Sequence, residues 1–361
     1  MNAATFYQAA GTQLTYQNDV YTGGFGIQGG FFGTSRVNSV ASLTAPCVYV
    51  SDAGTNDIAS ISLATQQQVG TFLGSTNDNG SANGIGLAVN SNYLYAGFTT
   101  SNTIGAFSLQ AGCEMTFLGD VPAIGKQGGS VTGMAVNSTI LIVAYGDGSI
   151  QSFNVAGGIP VSNRDLQNST GYNQLCPPLA CWGGNLPSGV DITQDGRFAV
   201  FGDISSGTTV EVSSLSTGKL AKTVVYSLGA GVDAGAIRLS PDESLLYIAN
   251  SEGGTVSAAF FNRTTGAVTR GCTSPTLNGF NALPWLGSVT TRDTTGTGNL
   301  LYVAEFGRDT IEINHGLPSQ IGILTITSTG SSCTLTETSN SPLVLTFPGA
   351  LSIGVYPPRP F

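Results

Sequence analysis

A seven-bladed β-propeller is the fold this sequence predicts, and three observations predict it. A short apolar segment recurs seven times, centred on Tyr7, Tyr49, Tyr95, Val143, Val200, Tyr247 and Tyr302. The anchors follow one another at intervals of 42, 46, 48, 57, 47 and 55 residues. Such a period, built from strand-like pieces, is the mark of propeller blades. Glycine is abundant, with 50 in 361 residues, as a chain of many short strands and tight turns requires.

Each repeat reads as four strands. In the fifth, Ala236-Ile-Arg-Leu is strand A and Leu245-Leu-Tyr-Ile-Ala is strand B. Thr255-Val-Ser-Ala-Ala-Phe-Phe is C and Ala267-Val-Thr-Arg is D. β-Branched and aromatic residues fill these stretches, and Ser240-Pro-Asp-Glu-Ser supplies a turn between A and B. The first copy, around Thr5-Phe-Tyr-Gln-Ala, has no strand A before it, and Ala350-Leu-Ser-Ile-Gly-Val-Tyr is a strand A with no B after it. Joined, the two ends complete a last blade: a strand A from the C-terminus with strands from the N-terminus closes the ring and hides its edges. The recurrence runs end to end, so residues 1–361 are expected to form a single propeller domain.

Composition narrows the function. Only 9% of residues are charged and the formal net charge is -9, which argues against nucleic acid and anionic membrane surfaces. No apolar run is long enough to span a bilayer. With one histidine and no CxxC pair, a zinc cage is not expected, and no cofactor or metal is implied. Six cysteines suggest disulfides and a secretory route. Cys176 and Cys181 bracket a small loop, Cys272 and Cys333 fall at like positions of adjacent repeats, and Cys47 with Cys113 remains. Sequons at Asn79, Asn137, Asn168 and Asn262 are candidate glycosylation sites. The amino terminus carries no signal-peptide pattern, so secretion implies a leader already removed. Oligomeric state is not legible.

In propellers the D-to-A and B-to-C connections share one face, and the irregular intervals place long loops there. One D-to-A connection carries Trp182, and another carries Phe280 and Trp285; Phe25, Phe31 and Phe32 lie in a glycine-rich stretch near the same face. Together they suggest an aromatic-walled pocket mouth, against the plainer reading of core packing. One long B-to-C connection holds Glu305, Arg308 and His315, candidates for acid–base catalysis. The plainer alternatives are an ion pair pinning the loop and a histidine bonded to a backbone carbonyl. Asp191 and Arg238 each stand nine residues before an anchor, so they face the channel from neighbouring inner strands. They form either a salt bridge or a substrate clamp. Asp52, Asp147, Asp203 and Glu252 close B strands and are expected to satisfy turn amides. No nucleophile motif or phosphate loop occurs.

Repeats such as Leu245-Leu-Tyr-Ile-Ala-Asn-Ser and Leu301-Tyr-Val-Ala-Glu resemble those of the lactonase-like seven-bladed propellers, over the whole chain. That family includes 6-phosphogluconolactonases and fungal carboxymuconate-cyclising enzymes. The resemblance implies a His with Glu and several Arg holding an anionic substrate, whereas this chain has one His and nine Arg. The cysteine- and sequon-bearing form is similar to a fungal branch containing the glycosylated hetero-Diels–Alderases of tropolone-sesquiterpene pathways. No short motif carries their catalytic residues over. The resemblance implies a small, apolar, oxygenated substrate and a metal-free dehydration and [4+2] cycloaddition. A lactonase, a muconate-type cyclase and a non-catalytic binding propeller are the alternatives.

Overall fold

The computed structural model describes residues 2–25, 39–42, 45–73, 85–169, 186–204, 208–229, 234–251, 253–279, 286–292, 299–305, 319–345 and 352–359. These form a seven-bladed β-propeller. Blade 1 comprises Ser39–Ala41, Cys47–Asp52, Asp57–Ser62 and Gln67–Leu73. Blade 2 comprises Ile85–Val89, Tyr93–Phe98, Thr103–Leu109 and Met115–Pro122. Blade 3 has Val131–Val136, Ile140–Tyr145 and Ser149–Asn154, with its fourth strand split into Val161–Ser162 and Gln167–Asn168. Blade 4 comprises Leu186–Ile192, Phe198–Ile204, Thr209–Ser216 and Lys219–Ser227. Blade 5 comprises Ala234–Leu239, Leu245–Asn250, Thr255–Phe261 and Val268–Thr273, the four strands predicted for that repeat. Blade 6 has Leu286–Arg292, Leu300–Glu305 and Gln320–Ser328, with a fourth strand split into Cys333–Glu337 and Leu343–Val344. Within each blade the pairing is antiparallel in chain order, A to D from the axis outward.

The anchors are the centre of this plan. Tyr49, Tyr95, Val143, Val200 and Tyr247 are all fully buried on B strands, with Tyr302 nearly so. Apolar residues fill the gaps between neighbouring sheets rather than one central core. Tyr247, Ala249 and Val256 of blade 5, for example, pack with Leu286, Val289 and Val303 of blade 6. At ~25 cal/mol per Å² of buried apolar surface, these interblade layers are the main stabilising term. Where sheets approach closest there is room only for hydrogen: a Cβ on Gly189 would sit 2.9 Å from the Ile237 backbone nitrogen. Both expected cross-links form, Cys47–Cys113 between blades 1 and 2 and Cys272–Cys333 between blades 5 and 6. Cys176 and Cys181 lie outside the described residues.

The last blade combines both ends of the chain, with a change in strand identity. Ala3–Ala10 and Gln13–Tyr21 form a hairpin. Asn2 donates to Asp52 at 2.8 Å, and Thr22 donates to the same carboxylate oxygen at 2.8 Å. Asp52 ends a B strand, so Ala3–Ala10 starts at the face where B strands finish, and it runs as a C strand. The Tyr7 segment therefore resembles a B anchor in sequence but not in direction, and the N-terminal hairpin supplies strands C and D. The C-terminal segment enters as strand A was expected to: the Ile353 amide donates to Ser288 on the inner strand of blade 6 at 3.0 Å. Ile353 and Val355 share an apolar cluster with Tyr7, Ala9 and Tyr302. Residues 352–355 make no ladder among the described residues, so the contact is through side chains and this one amide bond.

Candidate functional site

Acidic and amide side chains recur at one place on the B strands, the third residue after the anchor. Asp52, Asp203, Asn250 and Glu305 occupy it in blades 1, 4, 5 and 6, and all four are fully buried. Each sits where its B strand reaches the face of the B-to-C and D-to-A connections. Their surroundings differ in what they offer the side chain, and that difference separates scaffold from chemistry.

Asn250 is committed to the fold: its amide donates to Thr255 and Ser257 and accepts from Thr208. Asp52 is tied to Asn2 and Thr22. Even so, burial raises its carboxyl above the usual range, and its neighbour Asp57 is pushed up to about 6 by burial and by Asp52. One position further along, Asp147 behaves as the sequence predicted. It accepts the backbone amides of Gln127, Gly129 and Ser149 and the Ser149 hydroxyl.

Asp203 and Glu305 depart from that expectation. Neither carboxyl oxygen of either residue has a hydrogen-bond partner among the described residues. Burial, with Glu211 beside it, pushes the Asp203 carboxyl up to about 9. Burial, with Glu337 nearby, pushes the Glu305 carboxyl up to about 8. A charged carboxylate without partners in a dry site is so costly that the proton stays on instead. Glu305 is thus a neutral acid at pH 7. Its backbone pairs with Leu286 and Gln320. Gly279 and Gly322 make its space: a Cβ on Gly322 would stand 2.6 Å from Oε1, and one on Gly279 would collide with Oε2 and with the Gln320 side chain. Glu337 itself is held by the Asn278 amide and the Ser341 hydroxyl. Gln320 and Glu211 were not singled out in the sequence. The signal available for Glu211 was an acid inside the apolar strand Thr209-Val-Glu-Val, in a chain with few charges.

Arg308, His315, Trp182, Trp285, Phe280, Phe31 and Phe32, the other residues placed on this face, lie outside the described residues, as do Glu252 and the sequon Asn79. Phe25 is described and exposed there, its backbone bonded to the Asp52–Asn56 turn through Thr55 and Gly54.

Asp191 and Arg238 do occupy matching channel positions, opposite the anchors Val200 and Tyr247. They do not pair with each other. Asp191 takes two bonds from Arg359, at 3.2 and 2.9 Å, and one from the Leu239 amide at 2.8 Å. Arg359 donates also to the Ile192 carbonyl. The expected Asp191–Arg238 bridge is therefore replaced by Asp191–Arg359, and Asp191 is fully spoken for by the protein. Both residues lie toward the A-to-B turns, at the opposite end of the axis from Glu305. Arg359 was missed because it sits in a proline-rich tail outside the repeat, where no alignment of blades reaches it.

Asn137 is corrected as a glycosylation site. It is 2% exposed. Its side-chain oxygen accepts the Thr139 and Ile140 amides, and its nitrogen faces the Thr193 carbonyl at 3.4 Å. Asn90 makes the same turn in blade 2, accepting from Asn92 and Tyr93 and donating to the Asn137 carbonyl. The asparagine belongs to the repeat and leaves no room for a glycan. Asn168 and Asn262 are exposed.

Among the described residues, no three His, Cys, Asp or Glu side chains converge as metal ligands. Nor is any helix there long and apolar enough to cross a membrane.

A sequence model of the family described as "Lactonase, 7-bladed beta-propeller" matches residues 47–341. Among curated proteins, none matches the chain. Solved structures share the fold at low identity. A putative 6-phosphogluconolactonase from Bacteroides fragilis is 18% identical over 87% of this chain and 86% of its own, with a TM-score of 0.60. A functionally unknown protein from Desulfotomaculum acetoxidans is 14% identical over 96% of both chains, with a TM-score of 0.61. A protein from Lactobacillus plantarum is 17% identical over 85% of this chain and 81% of its own, with a TM-score of 0.59.

Proposed function

Because the chain belongs to the lactonase family of seven-bladed β-propellers, we propose that it is an enzyme acting on a small oxygenated organic molecule, with Glu305 as its proton carrier. One observation carries this: Glu305 is fully buried, without a hydrogen-bond partner among the described residues, and held up to about 8. Asp52 and Asp147 on the same face are hydrogen-bonded; Glu305, like Asp203, is kept as an acid, and Glu305 is the one followed in the chain by Arg308 and His315. A carboxylic acid kept neutral by an apolar site is a proton donor at physiological pH.

A lactone fits that chemistry. Water adds to the ring carbonyl, the bond to the ring oxygen breaks, and the Glu305 proton passes to that oxygen. The proton lost by the added water restores the acid. Arg308 and His315 follow Glu305 in the same connection and are proposed to orient the substrate carbonyl. Trp182, Phe280 and Trp285 are proposed to wall the mouth, which excludes bulk water and keeps the carboxyl protonated.

A second reading rests on the acid being neutral rather than anionic. Dehydration of an oxygenated precursor requires a protonated leaving hydroxyl: the Glu305 proton leaves with that hydroxyl as water, and the proton lost from the precursor's ring hydroxyl restores the acid. The resulting quinone methide would then add to an alkene held in the apolar mouth, by [4+2] cycloaddition, with proximity as the main catalytic contribution. Neither reading calls for nucleic acid, a membrane or a cofactor. The two disulfides are compatible with a secreted protein, and Asn168 and Asn262 are the proposed glycan carriers.

The test is turnover. Wild type and Glu305→Gln are incubated with a panel of aliphatic and aromatic lactones, and separately with a hydroxylated quinone-methide precursor plus a cyclic alkene. Ring-opened acid in the first set supports the lactonase reading, and cycloadduct in the second supports the other. Absence of both, with small molecules binding unchanged, leaves a binding propeller.

A further inference from the structure

The axial cavity at the A-to-B end carries a charge imbalance that the proposed chemistry does not use. The cavity holds about 100 Å³, enough for a small polyatomic ion. Its wall includes Asp191, Arg238, Thr290, Thr291 and Arg359. Two guanidiniums thus face one carboxylate. Asp191 is saturated by Arg359 and the Leu239 amide. Glu243, the next acid within electrostatic reach, forms an ion pair with Arg263 at 3.2 Å and accepts the Gln194 amide. That pair balances itself, so among the described residues one positive charge at the cavity is left over. It belongs to Arg238, whose guanidinium makes no hydrogen bond to the protein among the described residues. Desolvation lowers the Arg238 pKa, and Arg359 lowers it further against the pull of Asp191.

An uncompensated, partly buried guanidinium is unfavourable. A planar fork with free donors also has a natural complement, an oxyanion gripped by two parallel N–H bonds. The hydroxyl-bearing Thr290 and Thr291 stand on the same wall and add neutral donors. The cavity is well separated from Glu305. Glu305 pairs with Leu286 at the start of the blade 6 inner strand, whereas Thr290 lies four residues on, roughly 13 Å along the strand.

We infer that the axial cavity is a second ligand site, taking one small oxyanion, a phosphate or a carboxylate, on the Arg238 guanidinium. The C-terminal segment forms part of the wall through Ile353, Val355 and Arg359. A bound oxyanion therefore joins the inner strand of blade 5 to the closing segment of the ring, and its occupancy stabilises closure. This inference stands apart from the Glu305 reading: either holds if the other fails.

The experiment is thermal unfolding in sodium phosphate and, in a second arm, sodium acetate, with ionic strength held constant by sodium chloride. The wild type is expected to show a saturable rise in Tm with at least one of the two, and the arm that gives it identifies the anion. Arg238→Met is expected to raise the dissociation constant at least tenfold. Arg238→Lys keeps the charge and loses the fork, and is expected to weaken binding several-fold in a protein that still folds. No saturable rise in either salt, or equal rises in wild type and both variants, overturns the assignment.

Discussion

Replacing Glu305 by glutamine isolates one carboxyl from all others and gives a signed, sizeable effect on stability. In the folded chain the Glu305 carboxyl titrates at about 8, against an ordinary value of 4.5. Its folded pKa is raised, so between those values the folded state holds a proton that the unfolded state releases. Stability therefore falls as pH rises from about 4.5 to about 8, and levels off above, where both states are ionised. Each pH unit across that window is worth roughly 1.4 kcal/mol, so the whole window amounts to about 5 kcal/mol as an upper bound, since the site can relax or admit water. Glutamine has nearly the same shape and no charge to lose. Urea unfolding of wild type and Glu305→Gln at pH 5, 6, 7, 8 and 9 gives two stability curves. Asp203 and Asp57 tilt both curves alike, so their difference reports Glu305. The wild type should fall relative to the variant by several kcal/mol between pH 5 and 9. Parallel curves would refute the claim that burial holds this carboxyl protonated.

Other consequences are independent of that residue. Removing Cys47–Cys113 by a double change to serine should cost about 4 kcal/mol, as expected for a cross-link spanning 66 residues; matched denaturation curves in oxidised wild type and variant measure it. Asp191→Asn leaves Arg359 without its counter-charge in a buried pair, and should lower stability by about 3–5 kcal/mol in the same assay. Peptide mapping after expression in a secretory host should find Asn137 unmodified, since its amide is inside the fold; a glycan there would contradict the buried A-to-B turn.

What the sequence disclosed was what repeats. The B anchors are legible because a fully buried strand must be apolar throughout; Cys272–Cys333 is legible because its cysteines fall at like positions, and Cys47–Cys113 only as the pair that remains. Strand direction is less so. Tyr7 matches the anchor in composition, but only its neighbours Asn2 and Thr22, bonded to Asp52, reveal that the hairpin runs as strands C and D. A sequon is three letters and carries no information on burial, so Asn137 read as a glycan site although Asn90 performs the same turn one blade earlier. Carboxylates at the ends of B strands look alike in sequence. Asp147 gathers turn amides and Glu305 gathers none among the described residues, and only the folded surroundings tell the two apart. Arg359 pairs with Asp191 from a segment that belongs to no repeat, and only the closed ring brings the two together.

The most direct test of the central claim is the pH profile of turnover. With a lactone that the wild type opens, kcat/KM should hold steady below pH 7 and fall through about pH 8 as Glu305 loses its proton. In Glu305→Gln the turnover should drop at least about a hundredfold, with the fold intact. A variant that retains wild-type turnover, or a wild type whose rate rises through pH 8, would contradict the assignment of Glu305 as the proton carrier.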